Sequence, residues 1–326
     1  MIVLTADSAS ELFTAACQAV LLNGRTASPR DHATTEVIGA HLCLTNPRRR
    51  IVHVPPARVI NPAFAVAEAL WILSGSDDPW IFDYNDNLRQ YADDGVLRGA
   101  YGPRLRRWGG RIDQLDATVD QLDAVRRQLH ADRNSRRAVI QLYDPSRDHR
   151  GYRDVPCTLG YRFFIRQGRL VVHTSMRSQD LWLGFPYDIF TTTLIQELMA
   201  GWLGVDLGEY HHHVDSLHLY ANNTGTAAAC LHGLPGDAEL APVTVPWPDL
   251  DTLLQRVISG ATDSADGPTW DAFGRTLSSY RSWKTGNRDQ ARKLAAATPG
   301  PLGHALSSWY DHLAPTVATA TQGVRG

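Results

Sequence analysis

Lysine is nearly missing from this chain: of 32 basic residues only Lys284 and Lys293 are lysines, and the rest are arginines. Arginine offers a planar fork that meets phosphate and carboxylate bidentately, as lysine cannot. A basic surplus is missing too. The formal net charge of -2 excludes a general nucleic-acid footprint, so no nucleic-acid partner is expected. No apolar run approaches the roughly 20 residues needed to span a bilayer, so no membrane-crossing helix is expected. The four cysteines, Cys17, Cys43, Cys157 and Cys230, form no CxxC pair and no zinc spacing. Neither a disulfide framework nor a bound metal is therefore expected. The first residues carry Asp7 and Glu11 where a signal peptide would be basic, so a reduced, cytoplasmic protein is expected. Internal repeats and low-complexity tracts are also missing.

What is present suits a globular protein: 326 residues, 43% apolar, enough for one large domain or two small ones. Ser8 and Glu11 fit a capping box ahead of a helix that stops at Gly24. Residues 34–46 alternate and predict a strand. Asn61-Pro62 opens a helix to about Gly75, and residues 115–130 predict an amphipathic one. Ala138–Tyr143, Tyr161–Ile165 and Arg169–Ser175 read as strands, the last two joined at Gln167-Gly168 as a hairpin. Phe190–Leu203 is apolar all round and predicts a buried helix; His211–Tyr220 predicts a further strand. After residue 232 a Pro-rich connection leads to helical patterns at 249–260, 268–297 and 303–313, and residues 316–326 read as a weakly held tail. The expected fold is α+β, a mixed or mainly antiparallel sheet backed by helices, with a core over 1–232 and a mostly helical extension over 233–326 packed on it.

The chemistry concentrates between Asp154 and Asn223. Cys157 follows a proline; a thiolate adds well to a polarised carbon–carbon double bond and leaves readily. Arg177 and Ser178 supply guanidinium and hydroxyl donors, and Arg136, Arg137 and Arg30 are further candidates for a phosphate monoester. Asp180, Asp188, His218 and Tyr220 complete the ordered set. His211 and His213 share one strand face with Asp215, and with His218 nearby a metal site is the rival reading of that segment. A polar strand end lining a nucleotide pocket is the reading preferred here.

These motifs resemble the thymidylate synthase family. Pro-Cys at Cys157, Arg-Ser-x-Asp at Arg177 to Asp180, Leu-Gly-Phe-Pro-Tyr-Asp ending at Asp188, and Asp-x-x-His-x-Tyr ending at Tyr220 occur in family order. Ser135-Arg136-Arg137, the helix AEALWIL containing Glu68, and Tyr101-Gly102 match upstream motifs, so the resemblance covers about residues 25–230. It implies a thymidylate-synthase-like sheet and a homodimer. Cys157 would be the nucleophile on C6 of a pyrimidine nucleotide. Arg30, Arg177 and Ser178 would hold the phosphate, with Arg136 and Arg137 reaching in from the other subunit. His218 and Tyr220 would bind the sugar 3′-hydroxyl, and Glu68 would organise water and proton transfer. Asp180 and Tyr91 would face 5,10-methylenetetrahydrofolate, the implied co-substrate.

The departures from the family pattern bear on the substrate. Asp188 stands where the family has Asn. A carboxamide matches uracil, whereas a carboxylate accepts from N4 of cytosine and, with one shared proton, satisfies N3. This points to the cytidylate (CMP or dCMP) 5-hydroxymethylase branch, as in mildiomycin-type nucleoside-antibiotic pathways. Leu88 replaces a Trp that shields the methylene intermediate, and the carboxy-terminal closing segment has no counterpart. Both favour water addition over reduction. Thr158 stands in place of a family His. The implied product is a 5-hydroxymethylcytosine nucleotide. The alternatives are a reductive thymidylate synthase acting on dUMP and an inactive nucleotide-binding regulator.

Overall fold

A computed structural model describes residues 1–109, 118–236, 238–261 and 266–314. The amino-terminal part runs β1 (Ile2–Ala6), α1 (Ala9–Asn23), β2 (Arg25–Ala27), β3 (Thr34–Leu44), β4 (His53–Val54), β5 (Arg58–Val59), α2 (Pro62–Leu73) and α3 (Tyr101–Arg106). Then come α4 (Gln121–Ala131), β6 (Val139–Gln141), α5 (Pro145–Asp148), β7 (Thr158–Arg166), β8 (Arg169–Met176), β9 (Gln179–Asp180), α6 (Phe185–Leu203) and β10 (Asp206–Tyr220). The rest is helical: α7 (Thr224–Cys230), α8 (Leu250–Ser259), α9 (Pro268–Lys284), α10 (Arg288–Ala297) and α11 (Pro301–Leu313). Among the described residues no helix is long and apolar enough to cross a membrane.

The main sheet is mixed, in the order β1-β3-β10-β8-β7-β6. β1 runs parallel to β3 and β10 parallel to β8; β10–β3, β7–β8 and β6–β7 are antiparallel. The α+β expectation holds. Helices α1 and α6 lie against β3, β8 and β10, and α2 packs on α6. The opposite face leaves Val3, Ile38 and Val139 exposed.

Local chemistry explains the boundaries. The Ser8–Glu11 capping box forms as expected. Asn61 accepts from the backbone N–H of Ala63 and Phe64, with Pro62 at the first helical position. Gln167 and Gly168, at φ 52° and 73°, form the tight hairpin turn between β7 and β8. Helix α4 starts later than expected, because Asp120 caps it by accepting from Leu122 and Asp123; residues 115–117 lie outside the described set. Helix α6 starts five residues earlier than expected, with Pro186 in its first turn, so Asp188 belongs to a helix and not a loop. The expected helix over 268–297 is two helices. Gly286 takes φ 87° and Asn287 caps the second by accepting from Gln290. The expected tail lies outside the described residues.

Two irregularities shape the central strands. At Gly39, φ 78°, the inward positions change phase: Ala40, Leu42 and Leu44 on one side, Val37 on the other. β10 changes with it, from Tyr210, His212 and Val214 to Leu217 and Leu219. That shift leaves His218 and Tyr220 partly exposed. A register shift between Leu207 and Tyr210 is closed by Gln196 of α6, whose amide donates to the carbonyls of Gly208 and Glu209 at 3.0 and 3.1 Å. In the interior, Glu197 of α6 accepts from Arg48 and Arg50; Arg50 is fully buried.

Helix α2 carries Glu68 and is covered by α6, α9 and α11. Glu68 is the one α2 residue that is not fully buried.

Candidate functional site

Cys157 precedes β7 and Arg177 follows β8, and the hairpin brings these ends together. The Arg177 N–H donates to the Cys157 carbonyl at 2.9 Å. The Arg177 guanidinium donates to the carbonyls of Pro156 and Val155, both at 2.9 Å, and lies 3.6 Å from Cys157 Sγ. Burial pushes the Cys157 thiol up; Arg177 pulls it down, while Asp188, Asp154 and Asp180 push it further up. The thiol is therefore held back at rest, with one cation beside it. Thr158 donates its N–H to the Tyr101 hydroxyl at 3.1 Å, which fixes the backbone next to the sulfur.

Asp188, in the first turn of α6, faces inward. Burial raises it from 3.8 to about 6, against a stabilising bond from the Gln179 amide at 2.9 Å. Glu68 is raised from 4.5 to about 8, by burial and then by Asp188. The two carboxyls lie in each other's field and share a poorly hydrated space. Tyr101 and Tyr161 are also raised by burial and by the Asp188 charge, which puts both hydroxyls in the same space.

A buried relay holds Gln179. Its Oε1 meets His212 Nε2 at 2.9 Å, and His212 Nδ1 meets the Tyr210 hydroxyl at 2.7 Å, which reaches Thr174 at 2.9 Å. Burial lowers His212 to about 3, so it is neutral. With the Gln179 amide NH2 committed to Asp188, its oxygen must accept, and His212 must carry its proton on Nε2. The relay thus fixes the face that Asp188 presents.

Asp180 Oδ1 accepts from the N–H groups of Trp182 and Leu183 at 2.8 and 2.9 Å. It pairs with His218 across β9 and β10. The His218 ring meets Tyr220 edge-on at 5.4 Å. The Tyr91 hydroxyl is raised by burial and by Tyr220, Asp180 and Cys157, and opposed by Arg30. Those four groups therefore lie within electrostatic reach of Tyr91. Arg30 itself takes φ 51° in an exposed turn. A hollow of about 270 Å³ beside them is lined by Asp31, His32, Leu183, Tyr220 and Asn222.

The structure thus gathers Cys157, Arg177, Asp188, Glu68, Asp180, Tyr91, His218, Tyr220 and Arg30 from six segments. Ser178 lies between Arg177 and Gln179, half-buried. Arg136 and Arg137 stand exposed ahead of β6 and carry no ion pair among the described residues. Sequence reasoning missed Gln179 and His212. Gln179 occupied the variable position of a recognised motif, and His212 was the inward member of a triplet read for its outer two. The arrangement sets a thiol beside a guanidinium and two raised carboxyls, with Arg30, Arg136 and Arg137 exposed and without an ion pair among the described residues.

The sequence profile described as thymidylate synthase matches residues 11–238. The chain is 34% identical over 253 residues to a deoxyuridylate hydroxymethyltransferase of Bacillus phage SP01, covering 74% of this chain and 66% of that protein. It is 29% identical over 168 residues to a thymidylate synthase of Bacillus licheniformis, covering 49% of this chain and 57% of that protein. The chain thus spans less than two thirds of the length of these relatives.

Proposed function

The chain belongs to the thymidylate synthase family, and on that premise we propose that it transfers a one-carbon unit to C5 of a cytidine monophosphate, CMP or dCMP, and hydrates it to a hydroxymethyl group. The observation that carries this reading is Asp188. It sits where the family has Asn, its carboxyl is raised to about 6, and Gln179 holds it through one oxygen. A carboxyl sharing one proton donates to N3 of cytosine and accepts from N4.

In this reading Cys157 Sγ bonds to C6, and the ring electrons move toward C5. Asp188 and the Glu68 carboxyl steady charge on the ring nitrogens and oxygen. 5,10-Methylenetetrahydrofolate would supply the carbon; Asp180 and Tyr91, within electrostatic reach of each other, are the groups that would face it. Loss of the C5 proton with departure of tetrahydrofolate, water addition to the methylene so formed and departure of Cys157 complete the exchange. Leu88 leaves room for that water. Arg30, Arg177 and Ser178 would hold the phosphate, and His218 with Tyr220 the 3′-hydroxyl. Thr158 contributes backbone order beside the nucleophile.

Arg136 and Arg137 suit a homodimer in which each copy completes the other's phosphate site, and the uncovered sheet face with Val3, Ile38 and Val139 supplies a surface for it. Residues 233–326 are read as an extension of a core over 1–232; α9 and α11 lying on α2 support a buttress behind Glu68.

A second reading, dUMP as substrate, is favoured by the name of the phage relative and by the same raised carboxyl. Protonated Asp188 would donate to O4 of uracil and accept from N3. Incubation with methylenetetrahydrofolate and CMP, dCMP or dUMP in parallel, followed by mass analysis, separates them. A hydroxymethylated cytosine nucleotide supports the proposal; product from dUMP alone refutes it, and dihydrofolate in that arm would mean reduction to thymidylate.

A further inference from the structure

We propose that the sheet face away from the helices carries a zinc site built from Cys43, Glu209 and His211, with His41 as its supporting hydrogen-bond partner. Register brings these residues together. Cys43 of β3 pairs directly with His211 of β10. Glu209 lies two residues before His211, and His41 two before Cys43, so all four project from one face. One ligand atom from each of Cys43, Glu209 and His211 lies within 4.8 Å of the others.

One of the three ligand pairs already stands at the spacing of a tetrahedral ion. His211 Nε2 lies 3.5 Å from Glu209 Oε2. Two ligands at zinc distances and a tetrahedral angle stand about 3.3 Å apart. His211 Nδ1 faces His41 Nε2 at 3.0 Å, the outer contact that orients a ligating imidazole. The Gln196 bonds that close the shift before Tyr210 hold the Glu209 backbone in place. Around the site, His173 stacks on His211 at 4.4 Å and His213 on His41 at 4.3 Å. Thiolate, imidazole and carboxylate together select zinc over magnesium or calcium, which take oxygen ligands. The fourth position is left open toward the sheet surface offered above to a second copy of the chain. This site does not depend on the nucleotide chemistry.

The metal alone is the probe. Purified full-length protein, stripped with a chelator, is titrated with Co²⁺ and then Zn²⁺. The expected result is one Co²⁺ per chain with thiolate-to-cobalt charge-transfer absorption, displaced by Zn²⁺. Cys43→Ser removes the absorption, and Cys157→Ser leaves it. Glu209→Gln and His41→Phe weaken affinity about 10–100-fold. Glu209 has an exposed side chain, so its variant keeps the test valid should Cys43→Ser misfold by circular dichroism. Absence of tight binding overturns the proposal. So does absorption that survives Cys43→Ser and vanishes in Cys157→Ser, or affinity that Glu209→Gln leaves unchanged.

Discussion

Replacing Asp188 by Asn tests both the physics and the chemistry of the site, and the two readouts move in opposite directions. Burial raises the Asp188 carboxyl from 3.8 to about 6. Its folded value exceeds its unfolded value, so its contribution to stability is complete below about 3.8 and is lost as pH rises through about 6. At neutral pH the protein therefore carries an ionised group that the fold disfavours. The rise corresponds to about 3 kcal/mol, or about 2 once its partial contact with solvent is allowed for. A carboxamide of the same shape removes that cost and still accepts from Gln179. Asp188→Asn should thus stabilise the protein by about 2–3 kcal/mol at pH 7.5, and by nothing near pH 4. Urea denaturation at both pH values measures this. The same variant should lose activity on cytosine nucleotides and gain it on dUMP, because the carboxamide donor now faces the wrong group of cytosine. The mismatch is worth about 1–3 kcal/mol, hence about 5- to 150-fold in kcat/KM. Unchanged stability at pH 7.5 would refute the burial argument; unchanged nucleotide preference would refute the role assigned to Asp188.

Glu68→Gln should abolish turnover yet raise the melting temperature. Glu68 is raised from 4.5 to about 8, so the gain grows through that interval and is absent near pH 4, which calorimetry across pH can follow. Iodoacetamide capture of Cys157 should slow in Arg177→Ala, which loses the cation 3.6 Å from Sγ, and quicken in Asp188→Asn, which loses an opposing charge; a reversed order would refute the assigned causes. His212→Phe breaks the relay to Gln179 and should cost about 1–3 kcal/mol of stability while lowering kcat more than KM changes, measured by denaturation and steady-state kinetics. Refolded equimolar mixtures of Cys157→Ser and Arg136→Ala, each inactive alone, should recover up to about a quarter of normal activity if sites are shared between copies.

The parts legible in the sequence were those set by neighbours along the chain. The Ser8 capping box, the Asn61-Pro62 start and the Gln167-Gly168 turn each depend on a few adjacent side chains, and each forms. The motif residues also gathered, since a hairpin of nearly fixed length places Cys157 beside Arg177. What escaped depended on partners far along the chain. β1 (Ile2–Ala6) is a strand because it runs parallel to β3, a pairing no local pattern announces. The phase change at Gly39 decides which of His218 and Leu219 is buried, and it is visible only when β3 and β10 lie side by side. Helix α6 begins at Phe185 because a proline there starts a helix, whereas apolar periodicity alone became unambiguous only at Phe190.

The electrostatics of the site make a further connection between substrate and nucleophile. Cys157, Asp188 and Glu68 are all raised chiefly by burial, and the Asp188 charge raises the other two. They therefore compete against ionising together. The resting thiol stays protonated and slow to react with solvent oxidants, since the thiolate is the reactive form. A base that keeps a proton on Asp188 withdraws one negative charge from the field at Sγ, while Arg177 remains. On the role proposed for Asp188, binding a ring of the right hydrogen-bond pattern would lower the thiol toward reactivity, and a ring that leaves Asp188 ionised would not. Recognition and activation would then be one event at one carboxyl. It follows that substitutions at Gln179 or His212 should change the nucleotide preference and the reactivity of Cys157 together, although neither side chain touches the sulfur.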